Sequence, residues 1–203
     1  MFDEFKKLLK TMGRIIVISG PSGSGKTTVC WKLLEMFPEL AYSVSATTRK
    51  KRNSEKEGID YYFADRDKFK GMIGNNKFIE WEEVHGDLYG TLYGDIEKKR
   101  NEKAGILMDI DPKGGINIKR LYPDSVLIFL SVPSIETIIE RLSKRRTEDG
   151  FDIDKRVERA KEEFELSKNY DFIVENNDID ITLKKVSNII KENMFSDERN
   201  IRE

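Results

Sequence analysis

A glycine-rich loop at residues 20–27 constrains this chain more than any other feature of its sequence. The loop reads GPSGSGKT, a full G-x-x-x-x-G-K-[ST] phosphate-binding pattern. Apolar residues 15–18 precede it and a helical pattern over residues 27–37 follows it, which is the strand–loop–helix context that such a loop needs. Its main-chain N–H groups can point at phosphate oxygens, while Lys26 adds a positive charge and the Thr27 hydroxyl can ligate Mg²⁺. A plain glycine turn is the alternative, and the flanking elements favour nucleotide binding.

The composition restricts the partners and the compartment of the chain. Its 203 residues include 36 Lys and Arg and 37 Asp and Glu, for a net charge of −1, so we expect neither nucleic acid nor a membrane as a partner. Binding of an anion must then depend on local clusters of arginine and lysine. The single cysteine, Cys30, excludes an intramolecular disulfide and is expected to be a small buried residue on the first helix. The first ten residues lack the apolar core of a signal peptide and predict a short amphipathic helix, and we expect a cytoplasmic protein.

Apolar runs and helical patterns alternate along much of the chain. The runs are rich in β-branched residues and predict strands, and the spacing between them predicts helices. Such alternation is typical of an α/β fold with a doubly wound parallel sheet. The last helix is expected to bury Ile181, Val186, Ile189 and Ile190. The predicted strands are residues 14–19, 106–110, 125–132 and 172–174, and the predicted helices are residues 27–37, 134–144, 152–168 and 180–192.

Two stretches do not fit that alternation. Residues 45–93 carry aromatic and apolar side chains among turns, which predicts a small lobe of antiparallel strands. Residues 141–156 are too charged for a core and predict a mobile flap that covers a polyanion.

Arginines cluster in both of these stretches. Transfer of a phosphoryl group between two nucleotides needs both polyphosphates held in line, their charge neutralised and water excluded. Arg49 and Arg52 are three residues apart and can grip one phosphate together. Arg141, Arg145 and Arg156 can close over the transferred group. A solvated surface charge is the alternative for any one of these arginines, and two clusters beside an intact phosphate loop favour a function.

Several segments, taken in order, resemble guanylate kinase. They are SVSATTR at residues 43–49, GIDYYF at 58–63, FIEW at 78–81, YGT at 89–91 and ILMDID at 106–111. The resemblance extends from about residue 14 to residue 178, nearly the whole chain. It implies a three-layer P-loop core with a parallel sheet, a small mixed β lobe that binds GMP, and a helical lid. The core would comprise residues 1–44, 94–138 and 165–203, the GMP lobe residues 45–93, and the lid residues 139–164.

The resemblance also implies roles for individual residues in transferring the γ-phosphoryl group of ATP to GMP. Lys26 and Arg49 would act in catalysis with the three arginines of the flap. Thr27 and Asp109, which closes an apolar strand, would hold Mg²⁺, partly through water; a turn-capping role is the alternative for Asp109. The ATP-binding residues would be Gly20, Pro21, Ser22, Gly23, Ser24, Gly25, Lys26, Thr27, Thr28 and, beside the ATP base, Asn177. The GMP-binding residues would be Ser45, Arg49, Arg52, Tyr61, Glu80, Tyr89, Thr91, Asp109 and Asp111.

The chemistry of guanine supports the acidic residues of that set independently. Guanine has N–H donors at N1 and N2, which suit carboxylate acceptors such as Glu80 and Asp111. Adenine has an acceptor at N1, so the same carboxylates would exclude it. Taken singly, Glu80 could be an acid at a strand edge, and Asp111 a turn former before Pro112. No general base is needed, because the phosphate of GMP is already an ionised nucleophile.

Three positions depart from the family pattern. Lys51 stands where a proline is common between the two phosphate-gripping arginines, which would loosen that turn and add charge. Lys113 stands where a glutamine is common, and Arg146, where a glycine is common, would make the flap more basic.

The expected reaction is ATP + GMP ⇌ ADP + GDP, with Mg²⁺ bound to ATP, dGMP as a further acceptor and a monomeric or homodimeric enzyme. A non-catalytic, guanylate-kinase-like interaction module is one alternative, and the intact phosphate loop disfavours it. A P-loop GTPase is another, but the sequence lacks the N-K-x-D motif that would read its base. The carboxylates expected around the nucleobase, Glu80 and Asp111, disfavour a kinase for a different nucleoside monophosphate.

Overall fold

The chain folds into a parallel β-sheet with helices on both faces and a second, smaller sheet. The computed structural model describes residues 12–84, 86–144 and 153–194, so the amphipathic helix predicted for the first ten residues lies outside it. The strands are β1 (Arg14–Ser19), β2 (Leu40–Tyr42), β3 (Ala46–Thr47), β4 (Tyr62–Phe63), β5 (Phe78–Val84), β6 (Asp87–Leu92), β7 (Gly105–Asp109), β8 (Val126–Ser131) and β9 (Phe172–Glu175). The helices are α1 (Lys26–Met36), α2 (Arg66–Gly74), α3 (Tyr93–Glu102), α4 (Pro112–Leu121), α5 (Ile135–Lys144), α6 (Ile153–Leu166) and α7 (Ile179–Met194), with a 3₁₀ turn at Ser167–Asn169.

The larger sheet consists of parallel strands in the order β2-β7-β1-β8-β9. In the central strand β1, Ile16 pairs with Leu107 of β7 on one side and with Val126 of β8 on the other. β1 and β8 are buried along nearly their whole length, because helices cover both faces of the sheet. The four predicted strands are confirmed, with ends that differ by at most one residue. Strand β2 is not predicted, because its three residues are too few to form a recognisable apolar run.

Helices on the two faces of this sheet make a three-layer core. The apolar cluster on one face joins β1 to α1 and α7 and includes Ile16, Cys30 and Val186. The cluster on the opposite face joins β1 to α3 and α4 and includes Val17 and Ile118. Neighbouring residues of β1 thus enter different clusters, as the alternation of side chains along a strand requires. The predicted α/β class and the buried position of Cys30 are confirmed.

Helix α7 buries a different set of side chains from the one predicted. Val186 and Ile190 are fully buried as expected, and Ile189 is partly buried against the same cluster. Ile181 is 57 % exposed, so the prediction for that residue was wrong. The buried face begins at residues 182 and 183 and continues through residues 186, 187 and 190, a spacing that follows one side of a helix. Ile181 lies on the opposite side because it is two positions before Leu183.

The second sheet is mixed and has the order β4-β3-β6-β5. β6 pairs in antiparallel fashion with β3 and β5, as predicted for residues 45–93, whereas β3 and β4 are parallel. Helix α2 closes a small core in which the rings of Phe69 and Phe78 stack with centroids 4.4 Å apart. The sequence pattern does not predict α2, because Phe69 is its one buried residue.

Helices α5 and α6 pack against each other after β8. Val132, Ile138 and Ala160 form the small core between them. At the start of α5 the main-chain N–H of Thr137 donates to the Ser134 hydroxyl at 3.3 Å, which caps the helix. Residues 145–152 of the predicted flap lie outside the described residues. Within the described ranges, none of the helices combines the length and the apolar character needed to cross a membrane.

Candidate functional site

The phosphate-binding loop connects β1 to α1 at the carboxyl end of the parallel sheet. Gly25 adopts a left-handed conformation (φ 94°) immediately before α1, and a Cβ atom on it would lie 2.5 Å from Nδ2 of Asn176. Gly20 has φ 144°, and a Cβ atom there would lie 2.3 Å from the main-chain oxygen of Leu130. Only glycine fits both positions without strain, and the loop therefore leaves the first N–H groups of α1 available to an anion.

The side chain of Lys26 folds back over this loop. Its Nζ donates to the main-chain oxygens of Gly20 at 2.7 Å and Pro21 at 3.2 Å. The ammonium group is thus held beside the N–H groups that can bind phosphate, where it can neutralise the charge of the β- and γ-phosphates. The other predicted ATP-binding residues of the loop share the same short segment: Ser22, Gly23, Ser24, Thr27 and Thr28.

Thr27 and Asp109 meet at the first turn of α1. The Thr27 hydroxyl donates to Oδ2 of Asp109, at the end of β7, over 2.8 Å. Two hard oxygen donors beside a phosphate site suit Mg²⁺, which takes its remaining ligands from water and nucleotide phosphates. No cluster of three or more His, Cys, Asp or Glu side chains able to hold a metal occurs in the described residues. Thr27 and Asp109 therefore supply two oxygen atoms that fit a magnesium ion.

Asn176 holds the loop in place, and sequence reasoning misses it. This buried residue follows β9, and its Nδ2 donates to the Ser24 main-chain oxygen at 2.7 Å while its Oδ1 accepts from the Thr182 hydroxyl at 2.9 Å. Arg141 on α5 donates to the Asn176 main-chain oxygen at 2.8 Å and approaches the loop oxygen of Ser24 at 3.4 Å. Asn177, which follows Asn176 and is predicted to lie beside the ATP base, is exposed.

The two flap arginines other than Arg141 cannot be placed to the same extent. Arg145 lies outside the described residues, and for Arg156, near the start of α6, the main chain alone is described. Arg141 is therefore the one of the three whose contact with the phosphate loop is seen.

The predicted ligands of the GMP phosphate form one cluster on the second sheet and the loop after β3. Glu55 accepts from both Nη atoms of Arg49, at 3.1 and 2.6 Å, and from the main-chain N–H of Arg52 at 2.8 Å. The guanidinium carbon of Arg49 lies 5.4 Å from the ring centroid of Tyr61, and the rings of Tyr61 and Tyr89 are 6.0 Å apart. Sequence reasoning misses Glu55, although its position three residues after Arg52 is a usable signal.

The charges of this cluster are mutually stabilised. Burial raises the pKa of Glu55, but the hydrogen bonds from Arg49 and from the main chain of Arg52 outweigh burial and leave that pKa below its ordinary value. Burial also lowers the pKa of Arg49, yet its bond to Glu55 leaves it above the ordinary value for arginine. The carboxylate and the guanidinium are therefore both charged at neutral pH.

Glu80 on β5 and Asp111 at the start of α4 bring two carboxylates together from the two sheets. Glu80 is 8 % exposed, and its Oε1 accepts from the Thr91 hydroxyl at 2.6 Å. Asp111 caps α4, accepting from the main-chain N–H groups of residues 113 and 114 at 2.9 and 3.1 Å. A Cβ atom on Gly114 would lie 2.8 Å from Oε2 of Glu80 and 3.3 Å from Oδ2 of Asp111, so glycine makes room for both acids. Ser45, the remaining predicted base ligand, is buried directly before β3.

Burial dominates the titration of Glu80. It raises the pKa of this carboxyl group to about 7, the nearby charges of Asp111 and Glu82 raise it further, and the bond from Thr91 opposes the shift. A carboxyl group poised near neutrality is a common feature of binding and catalytic sites.

Helix α6 lies beside Asp111 at the start of α4. A cleft of about 330 Å³ lies between α6 and the start of α4, and Asp111, Arg159 and Glu163 line it. Arg159 Nε donates to Glu163 at 2.8 Å. Burial raises the pKa of Glu163, and the charges that act on it include Lys26 and Asp111. The cleft is therefore lined by charged side chains from the start of α4 and from α6.

Comparison with known proteins identifies the relationship of this chain. The family model described as guanylate kinase matches residues 12–193. The chain belongs to the guanylate kinase family. The guanylate kinase of Mycoplasma genitalium is 44 % identical over 184 residues, which cover 90 % of this chain and 77 % of that protein. The guanylate kinase of Carboxydothermus hydrogenoformans is 39 % identical over 178 residues, which cover 88 % of this chain and 87 % of that protein.

A solved structure agrees with this membership. The crystal structure of guanylate kinase from Anaplasma phagocytophilum superposes with a TM-score of 0.75 and 33 % sequence identity, covering 91 % of this chain and 88 % of the other. The known reaction of the guanylate kinase family is the ATP-dependent phosphorylation of GMP to GDP, and this chain is an enzyme of that type. The predicted family, fold class and enzyme class are confirmed, while the roles of individual residues and the boundaries of lobe and lid stay predictions.

Proposed function

We propose that this chain transfers the γ-phosphoryl group of ATP to GMP at a site between the phosphate loop and the second sheet. The observation that supports this most is the acid pair, Glu80 and Asp111, which meets where α4 packs against β5 of the second sheet. A kinase for a guanine nucleotide requires carboxylates around the nucleobase on one side of the site and a phosphate loop on the other.

The donor side of the site consists of the loop and its supports. The N–H groups of residues 20–27 bind the ATP phosphates, and Lys26 neutralises their charge. Thr27 and Asp109 hold Mg²⁺, which when bound screens the charge of the phosphates. Asn176 and Arg141 keep the loop carbonyls turned away from the nucleotide, because they supply those oxygens with donors.

The acceptor side consists of Arg49, Arg52, Tyr61 and Tyr89, which hold the phosphate of GMP. A phosphate oxygen of GMP forms the new bond to the γ-phosphorus of ATP, and the bond from that phosphorus to the β,γ-bridging oxygen breaks. The electron pair of the broken bond stays on that bridging oxygen, which becomes a terminal oxygen of ADP. The protein needs no general base for this step, so its contribution is alignment and neutralisation of charge.

The base of GMP is selected by the acid pair together with Ser45 and Thr91. The carboxylates of Glu80 and Asp111 accept the N–H groups at guanine N1 and N2. Thr91 fixes the rotamer of Glu80 through its 2.6 Å hydrogen bond. Arg141 already contacts the phosphate loop, and closure of α5 and α6 brings Arg145 and Arg156 to the transferring group beside it and excludes water, so little ATP is hydrolysed without GMP.

A coupled assay of ADP production with GMP, dGMP, AMP, UMP and CMP as acceptors tests this proposal. We expect turnover with GMP and dGMP and a loss of at least two orders of magnitude with the other three. Turnover of AMP or a pyrimidine nucleotide at a rate similar to that of GMP would refute the assignment of the acid pair. Binding of a phosphopeptide without any turnover would instead support the interaction-module alternative. The cytoplasmic location and the monomeric or homodimeric state stay predictions.

A further inference from the structure

We propose that Glu55 is a positioning residue that fixes Arg49 and Arg52 as a receptor for the GMP phosphate and stays in place when that phosphate binds. This inference rests on the proposed function, because it assigns the same arginines to GMP.

The pairing of Glu55 with Arg49 leaves part of the guanidinium available. The two side chains are 12 % and 11 % exposed, and the carboxylate bonds both Nη atoms. Arg49 Nη1 also donates to the main-chain oxygen of Lys50 at 2.8 Å. Glu55 and Lys50 therefore take three of the five N–H donors that a guanidinium carries, and two are left for Tyr89 and for an incoming phosphate. The orientation of the remaining donors is fixed, because the planar guanidinium cannot turn without breaking the fork to Glu55.

Glu55 also closes the loop that carries Arg52. Its carboxylate accepts the main-chain N–H of Arg52 at 2.8 Å, and its own N–H donates to the Arg52 main-chain oxygen at 3.1 Å. The Nη1 atom of Arg52 lies 3.9 Å from Glu55 Oε1. Nε of Arg52 is buried and has no hydrogen-bond partner within the described residues, which makes it a donor suited to a further anion. Lys51, in place of the usual proline, gives this turn no rigidity of its own, so Glu55 supplies it.

A carboxylate at this place could instead compete with the substrate phosphate, and the geometry argues against that. Glu55 is bonded to the main chain of its own loop as well as to Arg49, so its departure would open the turn that brings the two arginines together. Two guanidinium groups and one carboxylate also retain a net charge of +1, which still attracts a phosphate dianion.

The test compares E55Q with wild type and with E57Q in the full-length chain. Glu57 lies in the same loop, is exposed, and accepts the main-chain N–H of Phe63, so it serves as a matched control. We expect E55Q to raise KM for GMP about tenfold, because one charge-assisted contact to the arginines is lost. KM for ATP and kcat should change by less than twofold, and E57Q should match wild type. E55D, which keeps the charge on a shorter side chain, should fall between E55Q and wild type.

Inhibition by guanosine, which has the base but no phosphate, separates positioning of the arginines from general damage to the lobe. We expect the inhibition constant of guanosine to be the same in E55Q and in wild type. A lower KM for GMP in E55Q would show that Glu55 competes with the phosphate, and would overturn the inference. An unchanged KM for GMP, or equal losses of GMP and guanosine affinity, would overturn it too. Failure of wild type and E57Q to phosphorylate GMP would refute the proposed function itself, which is a separate result.

Discussion

Replacement of Glu80 by glutamine should stabilise the free protein and at the same time impair its use of GMP. The substitution keeps the size of the side chain and an oxygen that can accept the Thr91 hydroxyl, but it removes the buried negative charge. The pKa of Glu80 rises from an ordinary 4.5 to about 7. At about 1.4 kcal/mol for each pKa unit, this rise corresponds to roughly 3 kcal/mol of lost stability in the ionised form.

The sign of the effect depends on pH. The folded protein holds the Glu80 proton more tightly than the unfolded chain does, so the free energy of unfolding falls as pH rises from about 4.5 to about 7. Above pH 7 the penalty is fully present, and below about pH 4.5 the group is protonated in both states and contributes nothing. E80Q lacks this titration. We therefore expect it to exceed wild type by up to about 3 kcal/mol at pH 8, and the difference to shrink towards zero near pH 4.5.

Urea unfolding followed by tryptophan fluorescence at pH 8.0, 6.0 and 5.0 measures this difference. E82Q is the matched control, because Glu82 lies on the same strand and pairs with Lys113 at 3.6 Å across a more exposed surface. In the coupled assay E80Q should raise KM for GMP by roughly 10- to 100-fold, since a hydrogen bond to a charged acceptor contributes about 1.5–3 kcal/mol. A gap between E80Q and wild type that stays constant from pH 5 to pH 8 would refute the burial argument. Unchanged discrimination between GMP and AMP in E80Q would refute the role of Glu80 in reading the base.

Three other substitutions test separate parts of the site. K26A should lower kcat by two orders of magnitude or more with an unchanged circular dichroism spectrum, and near-normal turnover would exclude Lys26 from charge neutralisation. N176A removes a buried donor from the Ser24 oxygen, so we expect about 1–3 kcal/mol of destabilisation in thermal unfolding and a higher KM for ATP than for wild type; an effect on KM for GMP alone would contradict the loop-support role. G114A places a Cβ atom 2.8 Å from Glu80 Oε2 and should raise KM for GMP but not KM for ATP, and equal use of GMP by G114A and wild type would show that the carboxylate is not needed at that position.

The buried strands and most of the flanking helices follow from the sequence because their patterns are long and local. Helix α4 is not predicted, since Pro112, Gly114 and Gly115 are residues that disfavour a helix interior. Its N-terminus is nevertheless stable, because Asp111 caps it and Pro112 occupies a position that needs no N–H partner. At Gly114, the space needed by the carboxylates of Glu80 and Asp111 accounts for the residue better than helix propensity does.

Some residues of the candidate site can likewise be predicted from the sequence, and others cannot. The phosphate loop and the two arginines of the GMP lobe can be recognised because their residues are close together in the sequence. Asn176 supports the loop through its hydrogen bond to Ser24, which lies 152 residues earlier in the sequence, and no local pattern predicts such a contact. Glu55 is near its partners in the sequence, and its spacing from Arg52 is a signal, but in so charged a chain that spacing alone does not separate it from the other acidic residues.

The position of β1 in the centre of its sheet affects how the chain can fold as it is made. The two strands that flank it, β7 and β8, come much later in the chain, since Ile16 pairs with Leu107 and Val126, which follow it by 91 and 110 residues. β1 therefore cannot pair with both of its neighbours until residues 126–131 have been synthesised, and pairing over such a separation is slow. The phosphate loop that follows β1 thus lacks this support in shorter nascent chains, so nucleotide can stabilise the sheet after β7 and β8 have joined it but cannot guide the folding that precedes them.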